Sequence, residues 1–361
     1  MHKALGILIL LVGLVSAETA RATDYVIETW VDGLEQPWSL AFLPGGGALV
    51  TELRGTLRRI DEDGALSAPL ANIPPVYFAA QGGLLDVVPD PKFAENRLIY
   101  LSFAEGSADA NGTAVARGRL GATGLDDVAV IFRNYTRKDT PVHYGGRLAF
   151  LPDGSLLLTT GDGFDYREAA QDLSSGLGKV LRMTPDGGPA PGNPFDEAPY
   201  VYTYGHRNPQ GLAVAADGTV WLHEHGPRGG DEVNRLEPGV NYGWPAITHG
   251  KDYSGALVSP YTEWPGMAQP DWQWTPSIAP SGLAVGAGDL FPDWRGDLLI
   301  GALVAREVRL LDVEQGRPVR ERALFGEVDA RVRDVRFGPN GAVYLLLPDR
   351  IVRITPADPG T

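Results

Sequence analysis

Six copies of one short pattern run along the chain, and they limit its fold more than any other feature. Each copy is an apolar residue, a turn built on Pro, Asp or Asn and Gly, and then an apolar run of strand length. The copies are Phe42 to Val50, Val88 to Phe93 leading into Leu98 to Leu101, Phe150 to Leu158, Val214 to Leu222, Leu290 to Ile300, and Phe337 to Leu345. Proline presets φ for a turn and glycine supplies the positive φ that a tight hairpin needs, so each copy reads as strand, hairpin, strand. Recurrence at roughly fifty to seventy residues over the chain is the pattern of radially repeated antiparallel sheets. We therefore expect an all-β chain folded as a six-bladed β-propeller of four-stranded antiparallel blades, one domain over 23–361. A β-sandwich, or two separate β domains, is the competing arrangement. Two long polar or Gly/Pro-rich stretches, Thr184 to Pro199 and His249 to Pro276, interrupt the repeats. Irregular loops of that length in a compact fold are usually functional.

Composition removes several classes of function. With no cysteine in 361 residues there is no disulfide scaffold, thiolate metal site, iron–sulfur cluster or cysteine nucleophile. A formal charge of −14 argues against nucleic acid, whose phosphates are bound by clustered Lys and Arg. Residues Met1 to Ala22 have a basic start at Lys3, an apolar run from Ala4 to Val15, and small residues at Ala17 and Ala20-Arg21-Ala22. This predicts a secretory signal peptide over 1–22 and a periplasmic or secreted protein. The run is shorter than the ~20 residues a bilayer span needs, so no membrane span is expected.

Nucleophile elbows, phosphate-binding loops and EF-hand loops are missing from the sequence, and the histidines become the informative residues. His143 stands just before the third repeat and Asp162 just after it. In a propeller blade these are the start of one strand and the end of its neighbour, so imidazole and carboxylate can meet at one rim. A histidine held by a carboxylate suits a general base; the alternative is a structural histidine capping a strand. The pair Gly145-Gly146 allows another group to approach closely. Arg207, Asn208 and Gln210 open the fourth repeat, where a forked guanidinium can recognise a planar acidic ligand or pair with an acid of a neighbouring blade. His223 and His225 share a strand face, as zinc or copper ligands would, but no third nitrogen or sulfur follows. The adjoining Gly226-Pro227 and Asp231-Glu232 offer carbonyls and charge to a hard cation, preferably Ca²⁺. Arg331 and Arg333 alternate on one strand face and suggest a bound anion in an acidic protein, the alternative being a charged edge strand.

Several ordered segments together resemble the soluble pyrroloquinoline-quinone (PQQ)-dependent glucose dehydrogenases, and more closely the aldose sugar dehydrogenases. They are Gly33 to Leu40, Gln81 to Asp86, His143 to Leu148, Gly205 to Leu212, His225 to Asn234, Asn241 to Pro245 and Ala279 to Gly282. The resemblance implies oxidation of aldose sugars at C1 to the lactone. His143 would be the base, Asp162 its orienting partner, and Arg207 and Asn208 the donors to the quinone oxygens. It further implies Gln81, Asp231, Arg331 and Arg333 as cofactor contacts, a Ca²⁺ on the carbonyls of Gly226 and Pro227, and a structural Ca²⁺ at Glu232 and the Tyr242 carbonyl. Two departures stand out: the fifth-blade lysine of the glucose enzymes is missing, with Arg306 the expected substitute, and His225 replaces a glutamine. The implied partners are a small-molecule sugar and an external electron acceptor, a quinone or cytochrome, with the protein a monomer or homodimer. Competing functions are a Ca²⁺-dependent lactonase or esterase propeller and a non-catalytic binding propeller.

Overall fold

A computed structural model describes residues 25–357. Six antiparallel sheets follow one another around a ring, in chain order from Pro37 to Pro356. Blade 1 has strands Pro37–Phe42, Ala48–Glu52 and Thr56–Ile60; blade 2 has Leu84–Pro89, Leu98–Gly106, Asn111–Leu120 and Leu125–Arg133. Blade 3 has Leu148–Phe150, Leu156–Thr160, Lys179–Met183 and Val201–Tyr204, and blade 4 has Pro209–Val214, Val220–Glu224, Asp231–Arg235 and Trp272–Trp274. Blade 5 has Pro280–Val285, Leu298–Ala302, Val308–Glu314 and Arg317–Leu324. Blade 6 has Asp334–Phe337, Val343–Leu346 and Arg350–Pro356, and Tyr25–Asp32 completes it from the other end of the described chain. That pairing closes the ring, with Glu28 opposite Arg353 and their side chains 2.8 Å apart.

The expected six-bladed propeller is the observed fold. Blade 1 differs from the four-stranded expectation in having three regular strands. Its fourth is an irregular segment, in which Ser67 N and Leu70 N donate to the carbonyls of Arg59 and Leu57. All six repeats fall at the first hairpin of a blade. In blade 3, Leu151 N bonds Ser155 O across a turn whose Gly154 has φ 83°. The predicted signal peptide over 1–22 lies outside the described residues; among those described, no helix is long and apolar enough to cross a membrane.

Strand periodicity explains the packing. Leu156 and Leu158 face blade 2 while Leu157, between them, faces blade 4; Ala48 and Val50 face blade 6 while Leu49 faces blade 2. Alternate side chains thus feed the two interfaces of each blade. Six apolar clusters result, one between each pair of neighbouring blades. Each fully buried leucine in them contributes about 1.5–3 kcal/mol.

The first strands of the blades line the axis, which is filled by charge. The Arg147 guanidinium lies 3.1 Å from Asp334 Oδ1, donates through Nε to Gln210 O, and sits 4.1 Å from the centre of the Trp38 ring. Arg336 pairs with Asp334 at 2.9 Å, and Asp86 accepts from Ser39 Oγ and Leu148 N. Buried charges persist only when so paired. This plug closes the axis beneath one rim and supports the floor of the cavity above it.

Candidate active site

Opposite the repeat hairpins, where first strands begin and second strands end, a cavity of about 310 Å³ opens on the axis. Trp38, Leu85 and Tyr144 supply apolar surface, and Gln81, Asn208, Gln210, His225, Arg331 and Arg333 supply polar groups. Every blade contributes to this rim by the same topology, so residues far apart in sequence converge.

At its edge, His143 Nδ1 lies 2.7 Å from Asp162 Oδ1. Asp162 also accepts from Phe164 N at 2.8 Å and, through Oδ2, from Trp244 Nε1 at 2.7 Å. A carboxylate surrounded by three N–H groups is an acceptor, so the imidazole proton sits on Nδ1 and Nε2 keeps its lone pair. Burial pushes the His143 pKa below its ordinary value; Asp162 opposes this, while Arg207 and Lys138 add to the downward push. The result is a neutral imidazole held in one tautomer. The backbone is held equally tightly. His143 takes φ 54°, its N–H donates to Gln81 Oε1 at 2.9 Å, and a Cβ on Gly161 would come within 2.3 Å of its carbonyl oxygen. Gly145 permits a close approach too, but the approaching group is the Thr159 carbonyl of the same blade, 2.7 Å from where a Cβ would be.

Blade 4 supplies the next group. Arg207 is buried, its peptide N–H donates to Glu224, and its Nη1 donates to the carbonyls of His225 and Gly226 at 3.1 and 2.6 Å. The guanidinium lies 5.3 Å from the Trp244 ring centre and 5.8 Å from that of Tyr253. Asn208 Oδ1 accepts from Gly145 N at 3.3 Å and fixes blade 4 against the His143 loop. His225 Nε2 donates to Pro280 O at 2.7 Å, and burial pushes its pKa down to about 3, so it lines the cavity as a neutral imidazole whose one N–H is spent on that carbonyl.

Arg331 and Arg333 of blade 6 face the same cavity. Arg331 bonds only Leu303 O, at 3.2 Å, and Arg333 reaches Ser281 Oγ at 3.3 Å. Both partners are neutral. Burial, with Arg147 and Arg331 nearby, pushes the Arg333 pKa down to about 10, which leaves it charged at neutral pH.

Several expected residues lie elsewhere. Arg306 is not in the cavity lining: its guanidinium pairs with Asp329 at 3.2 Å on an exposed turn, and Leu303 is the residue of that loop that reaches the cavity. Asp231 is a loop organiser rather than a wall residue. It accepts from Gly226 N, Ser277 Oγ, Ile278 N and Ala279 N, and so positions Ala279 in the lining. Gly226 O is already committed to Arg207. His223 and His225, which the sequence sets on one strand face without a third ligand, spend Nε2 on Gly282 O at 2.9 Å and on Pro280 O at 2.7 Å. Among the described residues no group of three or more His, Cys, Asp or Glu is placed to hold a metal. Glu232 lies on the third strand of blade 4 opposite Glu224, and Tyr242 is buried, its ring stacked on His206 at 4.9 Å.

Sequence reasoning missed Trp244, Phe164, Tyr253 and Lys138. Trp244 was visible only as part of a motif; its bond to Asp162 spans 82 positions. Phe164 packs edge-on against His143 at 5.2 Å and stacks on Tyr253 at 6.2 Å. Lys138 is buried, its Nζ 3.6 Å from the Tyr144 ring centre and 3.1 Å from Asn111 Oδ1, and burial pushes its pKa down to about 7. A lone lysine in a loop carries no such signal.

Known proteins resemble this chain in sequence and fold. The family profile described as glucose/sorbosone dehydrogenase matches residues 34–354. Aldose sugar dehydrogenase YliI of Escherichia coli is 39% identical over 371 residues, covering 99% of this chain and 100% of its own. The crystal structure of the soluble aldose sugar dehydrogenase from Escherichia coli in the apo-form superposes with a TM-score of 0.89 at 39% identity, over 92% of this chain and 100% of that one. The PQQ-bound form of the aldose sugar dehydrogenase from Streptomyces coelicolor gives 0.75 at 32% identity, over 92% and 98%. The match spans every blade and includes both walls of the cavity: the chain belongs to the glucose/sorbosone dehydrogenase family.

Proposed function

We propose that this protein oxidises aldose sugars at C1 to the lactone using PQQ, in the cavity on the propeller axis. The observation that carries the reading is the convergence of Arg331 and Arg333, both bonded to neutral groups, on a cavity beside the His143–Asp162 pair. Unpaired guanidiniums facing one space suit an anionic planar ligand, and PQQ with its three carboxylates fits them.

When bound, PQQ supplies the acceptor for the hydride that leaves C1. The chain's own residues do the rest. His143 Nε2 takes the proton of the C1 hydroxyl, and Asp162 holds Nδ1–H and stabilises the imidazolium that forms. Trp244 and Phe164 N keep Asp162 from rotating. Arg207 and Asn208 are fixed donors placed to meet developing negative charge, a contribution of the oxyanion-hole kind. Arg331 and Arg333 bind and orient carboxylates, and Gln81 fixes the His143 backbone.

The two expected calcium positions differ in what surrounds them. The Gly226 carbonyl is occupied by the Arg207 guanidinium, so no step is routed through a Ca²⁺ at Gly226 and Pro227. Glu232 is different: burial, with Glu224 opposite it on the adjacent strand, pushes its carboxyl up to about 8. A carboxyl held protonated beside another carboxyl suits a cation, and with the family resemblance this motivates a structural Ca²⁺ at Glu232 with the Tyr242 carbonyl. Added Ca²⁺ should then raise the melting temperature of the protein but not that of Glu232→Gln.

A hydrolytic site of the lactonase kind would need carboxylates free to face the cavity. Asp86 and Asp334, the axial carboxylates, are instead tied to Ser39, Arg147 and Arg336. The N-terminal segment motivates placing the enzyme in the periplasm or outside the cell, where an external quinone or cytochrome takes the electrons. Purified protein supplied with Ca²⁺ and PQQ should oxidise aldoses with an artificial electron acceptor. Failure to bind PQQ, or turnover of lactones by the cofactor-free protein, would reverse the assignment.

A further inference from the structure

Lys179 opens the third strand of blade 3 and is fully buried. Its Nζ donates to three backbone carbonyls: Leu177 O at 2.7 Å, Ala169 O at 2.8 Å and Ala170 O at 3.0 Å. An ammonium has three donors and no acceptor, so this cage takes up all of them. The acceptors are neutral, a donor set like the one a desolvated monovalent cation meets in a carbonyl-lined filter. Burying a charge in this way is costly, and an apolar side chain of similar volume would often stabilise the fold as well or better. What the ammonium adds is a fixed point for three carbonyls whose oxygens would otherwise face one another unpaired.

Those carbonyls belong to the loop that leads away from Asp162. Its neck is closed by Gly178 N, which donates to Gly161 O at 3.0 Å. Ala169 and Ala170 end the short turn Arg167–Ala170 within it. The next residue, Gln171, grips blade 4: its Nε2 donates to Trp244 O at 2.7 Å, and Asn241 Nδ2 donates to its Oε1 at 2.7 Å. Trp244 in turn gives its indole N–H to Asp162, which holds His143. A line of direct contacts thus runs from Lys179 through the turn, Gln171, Trp244 and Asp162 to the imidazole.

We propose that Lys179 is a positioning residue for the His143–Asp162 pair, an ammonium built into a cation cage, and that a variant lacking it accepts a free alkylammonium in its place. The line of contacts sets the sign of the effect. With the cage empty the carbonyls separate, the turn shifts, and Gln171 no longer fixes Trp244. Asp162 then loses an N–H donor, becomes a more basic carboxylate, and holds the protonated imidazole more strongly. His143 therefore takes its proton at higher pH, while Arg207 and Lys138, the other charges acting on it, stay in place. Burial pushes the Lys179 pKa down to about 7, with Asp172 opposing. His143 titrates below the ordinary histidine value, in the range where Lys179 is charged. The inference rests on the dyad of the dehydrogenase reading, but its main readout needs no cofactor.

Cofactor-free wild type, Lys179→Ala and Gln171→Leu are titrated by NMR through the His143 ring resonances, in n-propylammonium chloride or tetramethylammonium chloride at equal ionic strength. Propylammonium carries the carbons and the ammonium group that Lys179→Ala removes; tetramethylammonium has the charge but no N–H. The expected result is a His143 pKa raised by about half a pH unit in both variants. Propylammonium should return it to the wild-type value in Lys179→Ala but not in Gln171→Leu, and tetramethylammonium should do so in neither. Holoenzyme made with PQQ and Ca²⁺ should follow the same pattern, with kcat for glucose about tenfold lower in Lys179→Ala, KM unchanged, and recovery in propylammonium. A rescued pKa shift without oxidation of any aldose by the wild type supports the role of Lys179 and defeats the dehydrogenase reading alone. An unchanged His143 pKa in folded Lys179→Ala, or a shift that propylammonium does not reverse, overturns the proposal. If Lys179→Ala does not fold even in propylammonium, Gln171→Leu decides: the same shift supports the proposal, and a wild-type pKa overturns it.

Discussion

The cavity has two unlike walls. On the side of blades 3 and 4, each functional group is held by several partners: His143 by Asp162 and Gln81, Asp162 by three N–H donors, Arg207 by Glu224 and two carbonyls. On the side of blade 6, Arg331 and Arg333 are charged groups with a single neutral side-chain contact apiece. The contrast separates two tasks. Proton transfer and charge stabilisation need atoms fixed beforehand, because reorganisation during the reaction costs rate. Binding an anion needs uncompensated charge, and here that charge is left for the ligand.

This division makes the walls separable by mutation. The largest effect is expected on the fixed wall. Asp162→Asn should lower kcat by about a thousandfold, since loss of the carboxylate removes both the tautomer hold and the imidazolium's partner, while the Kd for PQQ stays within about threefold of wild type. The charged wall should behave in the opposite way. Arg331→Met with Arg333→Met should raise the Kd for PQQ by about a hundredfold and flatten its salt dependence, with kcat at saturation nearly unchanged. Arg306→Ala serves as the control: its guanidinium pairs with Asp329 outside the cavity, so neither constant should move.

A smaller effect sharpens the fixed wall. Lys138 lowers the His143 pKa, so Lys138→Met should raise it. With His143 as the proposed base, activity needs it neutral and falls as pH drops through its pKa; the acidic limb of kcat/KM should therefore move to higher pH, by a fraction of a unit. A limb that moves down, or not at all, would separate Lys138 from the base. A related dependence appears in stability. Burial holds His223 at a pKa of about 3, so the unfolded chain binds its proton first. Stability is full above about pH 6.5 and declines as pH falls below it, and His223→Gln should reduce that slope.

Much of this was legible in the sequence, for identifiable reasons. The blades announced themselves because a hairpin needs Pro and Gly at fixed places, and Gly154 occupies the position the repeat assigns to it. The His143–Asp162 pair was legible because both flank one repeat, and propeller topology brings those flanks together. What escaped were contacts between insertions that have no period. Trp244 reaches Asp162 from another blade, and Tyr253 stacks on Phe164 only because two irregular loops meet. The axial plug of Arg147, Asp86, Asp334 and Arg336 assembles charges from three blades, and nothing local marks them as buried. Arg306 failed for a related reason: its charge was the visible feature, but Asp329 captures it, and the unremarkable Leu303 lines the cavity instead.

The proposed division of labour gives cofactor binding to one wall and proton transfer to the other. It is tested most directly by loading wild type and His143→Gln with PQQ and Ca²⁺, mixing each anaerobically with glucose, and following the quinone absorbance. The account predicts equal PQQ affinity for the two proteins, with bleaching by sugar in the wild type and bleaching slowed by about a thousandfold in the variant. Bleaching of His143→Gln at the wild-type rate would contradict it.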